Sequence, residues 1–333
     1  MNLTKYIAIV AAGLLAICSS LSAKTETKEI KELRLKAERG DVAAQVNLGL
    51  MYEQGRGVPK DFWEAFKWYR KAAEQGNPNA QVFLGSFHRS SLAKDYPEAV
   101  KWFRKAAEQG HADAQSKLGS MYRYGEGVTK DYTEAAKWYR KAAEQGNPDA
   151  QRELGFMFRY GEGVPKDYAE SVKLYRKAAE QGDLDAQREL GFKYRYGDGV
   201  PQDDAEAVKW YRKAAEQGNA MAQISLGQSY SSGIGVPQDF TEAVKWFRKA
   251  AEQGSNGQYF LGSWYYNGEG VSKDLVEAYA YWNIAGSKGH LDARNNLEMI
   301  EKEMTPSQIE KGQQRTRELL KELEAKADGA KAK

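Results

Sequence analysis

Apolar residues recur at intervals of three and four in two kinds of segment that alternate along the chain. In the first kind, Ala114, Leu118 and Tyr122 fall on one helical stripe. In the second kind, Ala135 and Trp138 begin such a stripe, with lysine and arginine between the apolar positions. Because a helix completes a turn every 3.6 residues, both patterns predict amphipathic helices with one buried face.

The two helices recur together at a nearly constant interval, which is marked by one glutamine in each first helix. These glutamines are separated by 36, 34, 36, 36, 36 and 35 residues, and they are Gln45, Gln81, Gln115, Gln151, Gln187, Gln223 and Gln258. A period in this range is typical of stacked helix pairs, in which each unit packs only on its neighbours. The chain is therefore predicted to be all-α, with about seven helix-turn-helix repeats of about 36 residues.

A glycine-rich segment joins the two helices of each repeat, as in Gly161-Glu-Gly-Val-Pro-Lys-Asp167. The two glycines can adopt the positive φ that ends the first helix, and Asp167 with Glu170 starts the second helix as a capping box does. Neither a phosphate-binding motif nor alternating calcium ligands are present. The segment is interpreted as a structural turn.

The consensus Ala-Gln-x-x-Leu-Gly-x-x-Tyr-x-x-Gly-x-Gly-Val, continued by Asp-x-x-x-Ala-x-Lys-Trp-Tyr-x-Lys-Ala, resembles the Sel-one-like repeats, relatives of the tetratricopeptide repeats, over residues 41–289. The resemblance implies a right-handed α-solenoid with a concave face. It also implies a non-catalytic adaptor, since relatives at the bacterial envelope scaffold complexes or regulate sensor kinases and cell-wall enzymes. The second repeat departs at residues 88–93, where both glycines and two residues are missing, and the seventh carries Gly257 in place of alanine.

The segments outside the repeats are predicted to be a leader and two caps. Residues 1–23 combine a basic start, an apolar run and small residues, which is typical of a signal peptide. One alternative is an N-terminal membrane anchor, although the apolar run is shorter than the roughly 20 residues that span a bilayer. The other is lipid attachment at Cys18, although Ile17 does not fit a lipoprotein box. Residues 24–40 are expected to cap the first repeat, residues 290–327 to form C-terminal capping helices, and residues 328–333 to be a disordered tail.

Composition limits the classes of function. Lys and Arg number 49 against 46 Asp and Glu, a balance that does not predict nucleic-acid binding. Cys18 is the one cysteine, so a processed chain would have no disulfide or thiolate site. Capped ends predict a monomer, and the leader predicts a periplasmic or secreted location without a membrane span in the mature chain.

No catalytic constellation is recognised in the sequence. His88, His111 and His290 fall in different repeats and match no metal spacing. Ser91 to Lys94 spells Ser-x-x-Lys, the start of a β-lactam-binding signature, but the companion motifs are missing. The chain is predicted to be no enzyme and to need no cofactor or metal, with a β-lactam-binding hydrolase-like protein as a remote alternative.

The predicted contact surface is the side of the first helix opposite its packed stripe, in repeats three to five, which lines the concave groove in tetratricopeptide relatives. Arginine and aromatic residues alternate there, a combination enriched at protein interfaces. The candidate residues are Arg123, Tyr124, Arg152, Phe156, Arg159, Tyr160, Arg188, Phe192, Arg195 and Tyr196.

Because arginine binds carboxylates in bidentate fashion, these residues are hypothesised to bind an extended partner segment that is acidic or ends in a free C-terminus. The alternative interpretation is a solvated face whose charge is offset by Glu153 and Glu189. The predicted function is an exported scaffold or adaptor for protein partners. A secreted virulence or host-interaction factor that uses the same surface is the alternative.

Overall fold

The computed structural model describes residues 27–90 and 94–331, and these residues form 17 α-helices and no strand. The described residues divide into two compact units: the first comprises residues 27–90, 94–150 and 162–164, and the second comprises residues 151–161 and 165–331. The predicted signal peptide, the possible lipid site at Cys18 and the Ser91–Ala93 part of the Ser-x-x-Lys motif lie outside the described residues.

Each of the seven repeats contributes two helices, and single or paired helices precede and follow them. The N-terminal helix is α1 (Lys28–Glu38). The repeats are α2 (Val42–Gln54) and α3 (Phe62–Glu74), α4 (Pro78–Ser90) and α5 (Tyr96–Glu108), α6 (Ala112–Tyr124) and α7 (Tyr132–Glu144), α8 (Pro148–Tyr160) and α9 (Tyr168–Glu180), α10 (Leu184–Tyr196) and α11 (Asp204–Glu216), α12 (Ala220–Ser232) and α13 (Phe240–Ala251), α14 (Ser255–Asn267) and α15 (Leu275–Ser287). The last two helices are α16 (Leu291–Glu301) and α17 (Pro306–Lys331).

The two helices of a repeat pack through the stripes predicted from the sequence. In the third repeat Ala114 and Leu118 of α6 are fully buried. A methyl group added to Gly119 would lie 3.0 Å from the ring of Tyr139 on α7, so the missing side chain permits the aromatic ring to lie flat against the helix. The recurring glycine is therefore a packing position. The ring contact that it permits offsets the cost of about 0.5–1 kcal/mol that glycine carries inside a helix.

The turn between the helices touches the preceding repeat. Gly125 ends α6 in the left-handed conformation with φ 72°, and the Asp131 carboxylate accepts the backbone N–H of Glu134 to start α7. The second glycine, Gly127, has φ 71°, and a Cβ there would lie 2.4 Å from the backbone carbonyl carbon of Tyr96, the first residue of α5. Only glycine fits this contact, because the neighbour is backbone and cannot move aside.

The glutamines that mark the period tie three successive helices together. The side-chain amide of Gln115 on α6 donates to the Ala107 carbonyl near the end of α5 (3.1 Å), and its oxygen accepts from Gln145 after α7 (2.7 Å). Gln115 is buried, so both polar ends need partners. The same donor and acceptor pattern recurs at Gln45, Gln81, Gln187 and Gln223.

Helices at both ends of the described chain cover the terminal repeats. Ile30 and Ala37 of α1 are buried in the core of the first repeat. At the other end α17 packs on α15, where Gly312 meets the ring of Tyr279 and Arg315 pairs with Glu277 at 2.6 Å. The helix continues to Lys331, whereas the sequence predicted an end near residue 326 and a tail from 328. Alanine and lysine favour helix there, and a single Gly329 does not stop it.

Candidate interaction surface

The structure places all ten predicted contact residues on first helices of repeats. Arg123 and Tyr124 lie at the end of α6 in the first unit. The other eight lie on α8 and α10 in the second unit, and they are Arg152, Phe156, Arg159, Tyr160, Arg188, Phe192, Arg195 and Tyr196. These eight residues on α8 and α10 form one candidate surface within the second unit.

Two of the predicted arginines join their repeat to the next one. Arg123 is only 8% exposed, and its Nε lies 3.0 Å from the Glu162 carboxylate in the turn one repeat further on. Arg159 contacts Asp198 in the equivalent turn at 3.4 Å and Glu189 on α10 at 3.1 Å. The acid between the two turn glycines is thus the partner of an arginine one repeat earlier. These arginines are already neutralised within the chain.

The same contact is made by Arg89 in the second repeat, which pairs with Glu126 at 2.9 Å and was not among the predicted residues. Arg195 breaks the series, because Ile234 occupies the acidic position in the sixth repeat. Arg195 pairs instead with Asp204, at the start of the second helix of its own repeat, at 2.9 Å. The sequence signal for this series of ion pairs was the acidic residue between the two glycines of the turn.

Arg152 and Arg188 face a cleft between α8 and α10. Arg152 contacts Glu153 at 2.7 Å and Asp183 at 3.3 Å, and Arg188 contacts Glu189 at 2.5 Å. The Nε of Arg188 is buried without an acceptor. One repeat beyond Asp183 the residue is Asn219, which caps α12 with its oxygen and has no carboxylate to offer.

The cleft itself has a volume of ≈ 240 Å³ and mixed charge. Its lining residues are Arg152, Glu153, Phe156, Tyr175, Asp185, Arg188 and Glu189, which amount to two cations and three carboxylates. Burial raises the pKa of Tyr175 well above its usual value, so this phenol stays neutral. The arrangement suits polar and aromatic contacts, and it does not form a concentrated positive field.

The aromatic residues of the predicted surface are more accessible than its arginines. Phe156 lies 4.4 Å from Tyr160, and Phe192 lies 4.4 Å from Tyr196, as ring centroid distances. The guanidinium of Arg159 lies 4.9 Å from the Phe192 ring centroid, between the two pairs. Tyr160 is 50% exposed and Tyr196 is 64% exposed. Two identical Phe–Tyr pairs, one repeat apart, therefore present their tyrosines to solvent.

Lys193 is a buried charge that the sequence analysis did not single out. It is 0% exposed, and its Nζ lies 2.8 Å from Asp198. Burial lowers the pKa of Lys193, while the hydrogen bond to Asp198 opposes that shift. Equivalent positions hold Met51, Met121 and Met157. The available signal was a lysine at a position that is methionine in three other repeats and uncharged in all of them.

Within residues 27–90 and 94–331 no cluster of His, Cys, Asp and Glu could hold a metal ion. Two of the histidines have structural positions, since His111 caps α6 and His290 caps α16 through their Nδ1 atoms. His88 lies beside Phe66 and Phe87. In the same described part of the chain, no helix has the length and apolar character needed to cross a membrane.

Together, the paired helices, the glutamine ties and the turn contacts define an all-α repeat solenoid. The family model described as Sel1 repeat matches seven consecutive segments: residues 42–77, 78–111, 112–147, 148–183, 184–219, 220–255 and 255–290. The chain belongs to the Sel1 repeat family, as the sequence predicted. Proteins of this family generally mediate protein–protein interactions, and the fold is typically a non-enzymatic scaffold.

Two solved structures are similar to this chain in both fold and sequence. A Sel1 repeat protein from Oxalobacter formigenes is 36% identical with a TM-score of 0.66, over 81% of this chain and 79% of that one. The protein c5321, a protective antigen present in uropathogenic Escherichia coli strains, is 31% identical with a TM-score of 0.51, over 93% of this chain and 91% of that one.

A shorter match exists to a protein of Rattus norvegicus described as DAP3-binding cell death enhancer 1. The identity is 43% over 56 residues, which cover 17% of this chain and only 11% of the rat protein. The match spans little more than one repeat length, so the chain is similar to a small part of that relative.

Proposed function

We propose that this protein is an exported scaffold that binds a partner polypeptide on the surface formed by α8 and α10. The observation that carries the proposal is the repeated Phe–Tyr pair. Tyr160 and Tyr196 occupy the same position in consecutive repeats, and each is at least half exposed while its phenylalanine is partly covered. Tyrosine supplies large contact area at low cost in conformational entropy, which favours it at interfaces.

The arginines have a different part in this proposal from the one the sequence suggested. Because Arg159 holds Glu189 and Asp198, it positions α10 against α8 and supports the Phe192 ring. Arg152 and Arg188 line the cleft. A carboxylate of the partner can replace Glu153 or Glu189 as the ion-pair partner of these arginines. An acidic or C-terminal partner segment therefore depends on these two residues. A neutral segment would depend on the tyrosines alone.

The test is capture of envelope proteins by the full chain, compared with the double variant Tyr160→Ala/Tyr196→Ala. Both side chains are exposed, so the substitutions should change stability by less than about 0.5 kcal/mol each. Proteins that bind through the surface should be lost from the captured set. The control is Leu291→Ala, which removes an apolar side chain that is 70% exposed at the start of α16, outside α8 and α10.

Equal capture by the native chain, the double variant and the control would remove the proposal. A second pair, Arg152→Gln/Arg188→Gln, separates the partner chemistries: loss of capture supports an acidic or C-terminal segment, and retention supports a neutral one. Replacing Arg123, Arg159 and Arg195 would be a poor test, because those residues join neighbouring parts of the fold. Turnover of a chromogenic β-lactam by the native chain would support the remote enzyme alternative.

Export is part of the proposal and is supported by the leader-like pattern of residues 1–23. The c5321 likeness supports a second candidate, a host-exposed protein that uses the same surface, because that relative is described as a protective antigen. Fractionation of the producing cell separates them. Recovery in the periplasm favours an envelope scaffold, recovery in the medium or on the cell surface favours the second candidate, and recovery in the cytoplasm excludes both.

A further inference from the structure

An exposed aromatic patch lies in the first two repeats, in the first unit. It consists of Phe62, Trp63 and Phe66 on α3 with Phe87 and His88 on α4. Trp63 is 67% exposed and Phe62 is 55% exposed. The rings are held against one another, with centroid distances of 6.0 Å from Trp63 to both Phe66 and Phe87 and 4.6 Å between the two phenylalanines.

The patch is specific to these repeats in sequence. Where the first repeat has Trp63, later repeats have Pro97, Thr133 or Ala169, and where it has Phe66 they have Val100, Ala136 or Val172. Phe87 stands where three repeats carry methionine, and His88 stands where most carry tyrosine. Aromatic residues have thus been concentrated at one place on the array.

The turn of the second repeat also differs in sequence from the turns of the other repeats. In the fourth repeat Gly163 lies on the backbone of Tyr132, which begins the preceding second helix, with 2.2 Å from an added Cβ to that carbonyl carbon. Equivalent contacts join Gly127 to Tyr96 and Gly199 to Tyr168. The second repeat lacks both turn glycines and is two residues shorter.

The patch continues into a groove along α3 with a volume of ≈ 520 Å³, which shares Phe66 with it. The other lining residues are Glu64, Lys67, Trp68, Arg70, Lys71 and Glu74. Lys67 pairs with Glu64 at 2.6 Å and Arg70 with Glu74 at 2.9 Å. Lys71 makes no ion pair in the described chain and lies over the Trp68 ring at 4.2 Å.

The groove therefore carries three cations and two carboxylates, and no carboxylate of the groove neutralises Lys71. At the other end of the patch, Lys60 lies over the Phe62 ring at 4.8 Å and adds a second exposed cation. Exposed aromatic residues between cations complement an apolar anchor with carboxylates beside it.

We propose that this patch and groove bind a polypeptide segment in which an aliphatic or aromatic side chain is flanked by aspartate or glutamate. The apolar anchor would pack on the exposed face of Trp63 beside Phe87, and an acidic side chain would pair with Lys71. A lipid surface fits less well, because Glu64 and Glu74 would face anionic headgroups. A second copy fits less well, because a two-fold contact would bring the same cations together. The proposal does not depend on the tyrosine surface of α8 and α10.

The test selects a phage-displayed library of random 12-residue peptides on the full chain and measures affinities of the enriched peptides by fluorescence anisotropy. Peptides with an apolar residue beside Asp or Glu should be enriched. Trp63→Ala should weaken their binding about tenfold or more, and Lys71→Gln by about fivefold with less dependence on salt. Leu291→Ala is the control, because it removes an apolar side chain that is 70% exposed on α16.

A second variant is Phe87→Met, which places there the residue that three other repeats carry and removes the ring that contacts Trp63. It should weaken the same peptides without losing the fold. The proposal is overturned if no peptide is enriched, if the enriched peptides lack acidic residues, or if their affinity is the same in the Trp63→Ala variant. It is also overturned if Trp63 governs binding to phosphatidylglycerol vesicles or concentration-dependent self-association instead. None of these results bears on capture through Tyr160 and Tyr196.

Discussion

The second and fourth repeats are built from the same consensus but treat the preceding repeat differently. In the fourth repeat the turn places Gly163 against the backbone of Tyr132. The neighbouring Glu162 carboxylate forms an ion pair with Arg123. The second repeat has lost its turn glycines, and the aromatic residues at the start of α3 stay exposed. The two repeats therefore differ in the sequence of one turn and in the aromatic residues that the preceding repeat exposes.

The comparison shows which contacts of the array can be given up. The second repeat keeps the buried tie, since Gln81 donates to the Ala73 carbonyl at 3.1 Å and accepts from Gln109 at 2.8 Å. It also keeps Leu84 in the core and the pairing of Arg89 with Glu126. The central packing and the polar ties hold the repeats together, and the turn contact is separable from them.

The largest effect is expected from breaking the turn contact where it exists. Gly163→Ala should lower the free energy of unfolding by about 3 kcal/mol, because the residue has φ 66° and its Cβ would lie 2.2 Å from the Tyr132 carbonyl carbon. Urea unfolding monitored by circular dichroism measures it. Gly146→Ala is the control, with φ 90° and no atom within 4 Å of the added Cβ, and should cost about 1 kcal/mol. Equal losses for both variants would show that conformation alone matters.

A smaller effect is expected from the arginines that pair with the next turn. Arg123→Ala should cost about 2 kcal/mol, because Arg123 is nearly buried and its removal leaves Glu162 without this partner. Arg89→Ala should cost less than about 1 kcal/mol, because that pair is more exposed. The same unfolding measurement applies to both. If Arg89→Ala proves the more costly, the second repeat relies on this pair to compensate for its turn.

The smallest effect is expected at the buried lysine of the fifth repeat. Lys193→Met should raise the free energy of unfolding at pH 7 by about 1 kcal/mol, because it removes a desolvated charge and Asp198 keeps Arg159 at 3.4 Å. Methionine already fills this position in the first, third and fourth repeats. Urea unfolding at several pH values measures the gain.

The gain should shrink as the pH rises. Burial lowers the pKa of Lys193 in the folded protein below its usual 10.5, so the unfolded chain binds more protons between the two pKa values. The stability of the native protein therefore rises with pH through that window, and the cost of the buried charge is fully present below it. A gain that is independent of pH up to 10.5 would mean that Lys193 contributes through packing alone.

The helix pairs and their core positions were predictable from the sequence because periodicity reports burial directly. Ala114 and Leu118 were assigned to the packed stripe and are buried, and the recurring glycine was predicted to admit a partner helix. The predicted contact residues opposite and beside that stripe include Tyr160 and Tyr196, which are exposed, but also Arg123, which is buried. Whether they bind a partner stays a prediction.

The roles of the charged residues were not predictable in the same way. Arg123 and Glu162 are 39 positions apart, and no local pattern reports that they meet. Trp63 likewise meets Phe87, which belongs to the next repeat.

The amino-acid sequence by itself determined the class of fold, the number of repeats and the buried face of each helix, because a regular helix converts spacing along the chain into position around its axis. Only the tertiary structure decided which charges form ion pairs within the array and which aromatic rings remain exposed at its surface. Those outcomes depend on distances between residues of neighbouring repeats, which a one-dimensional pattern does not contain.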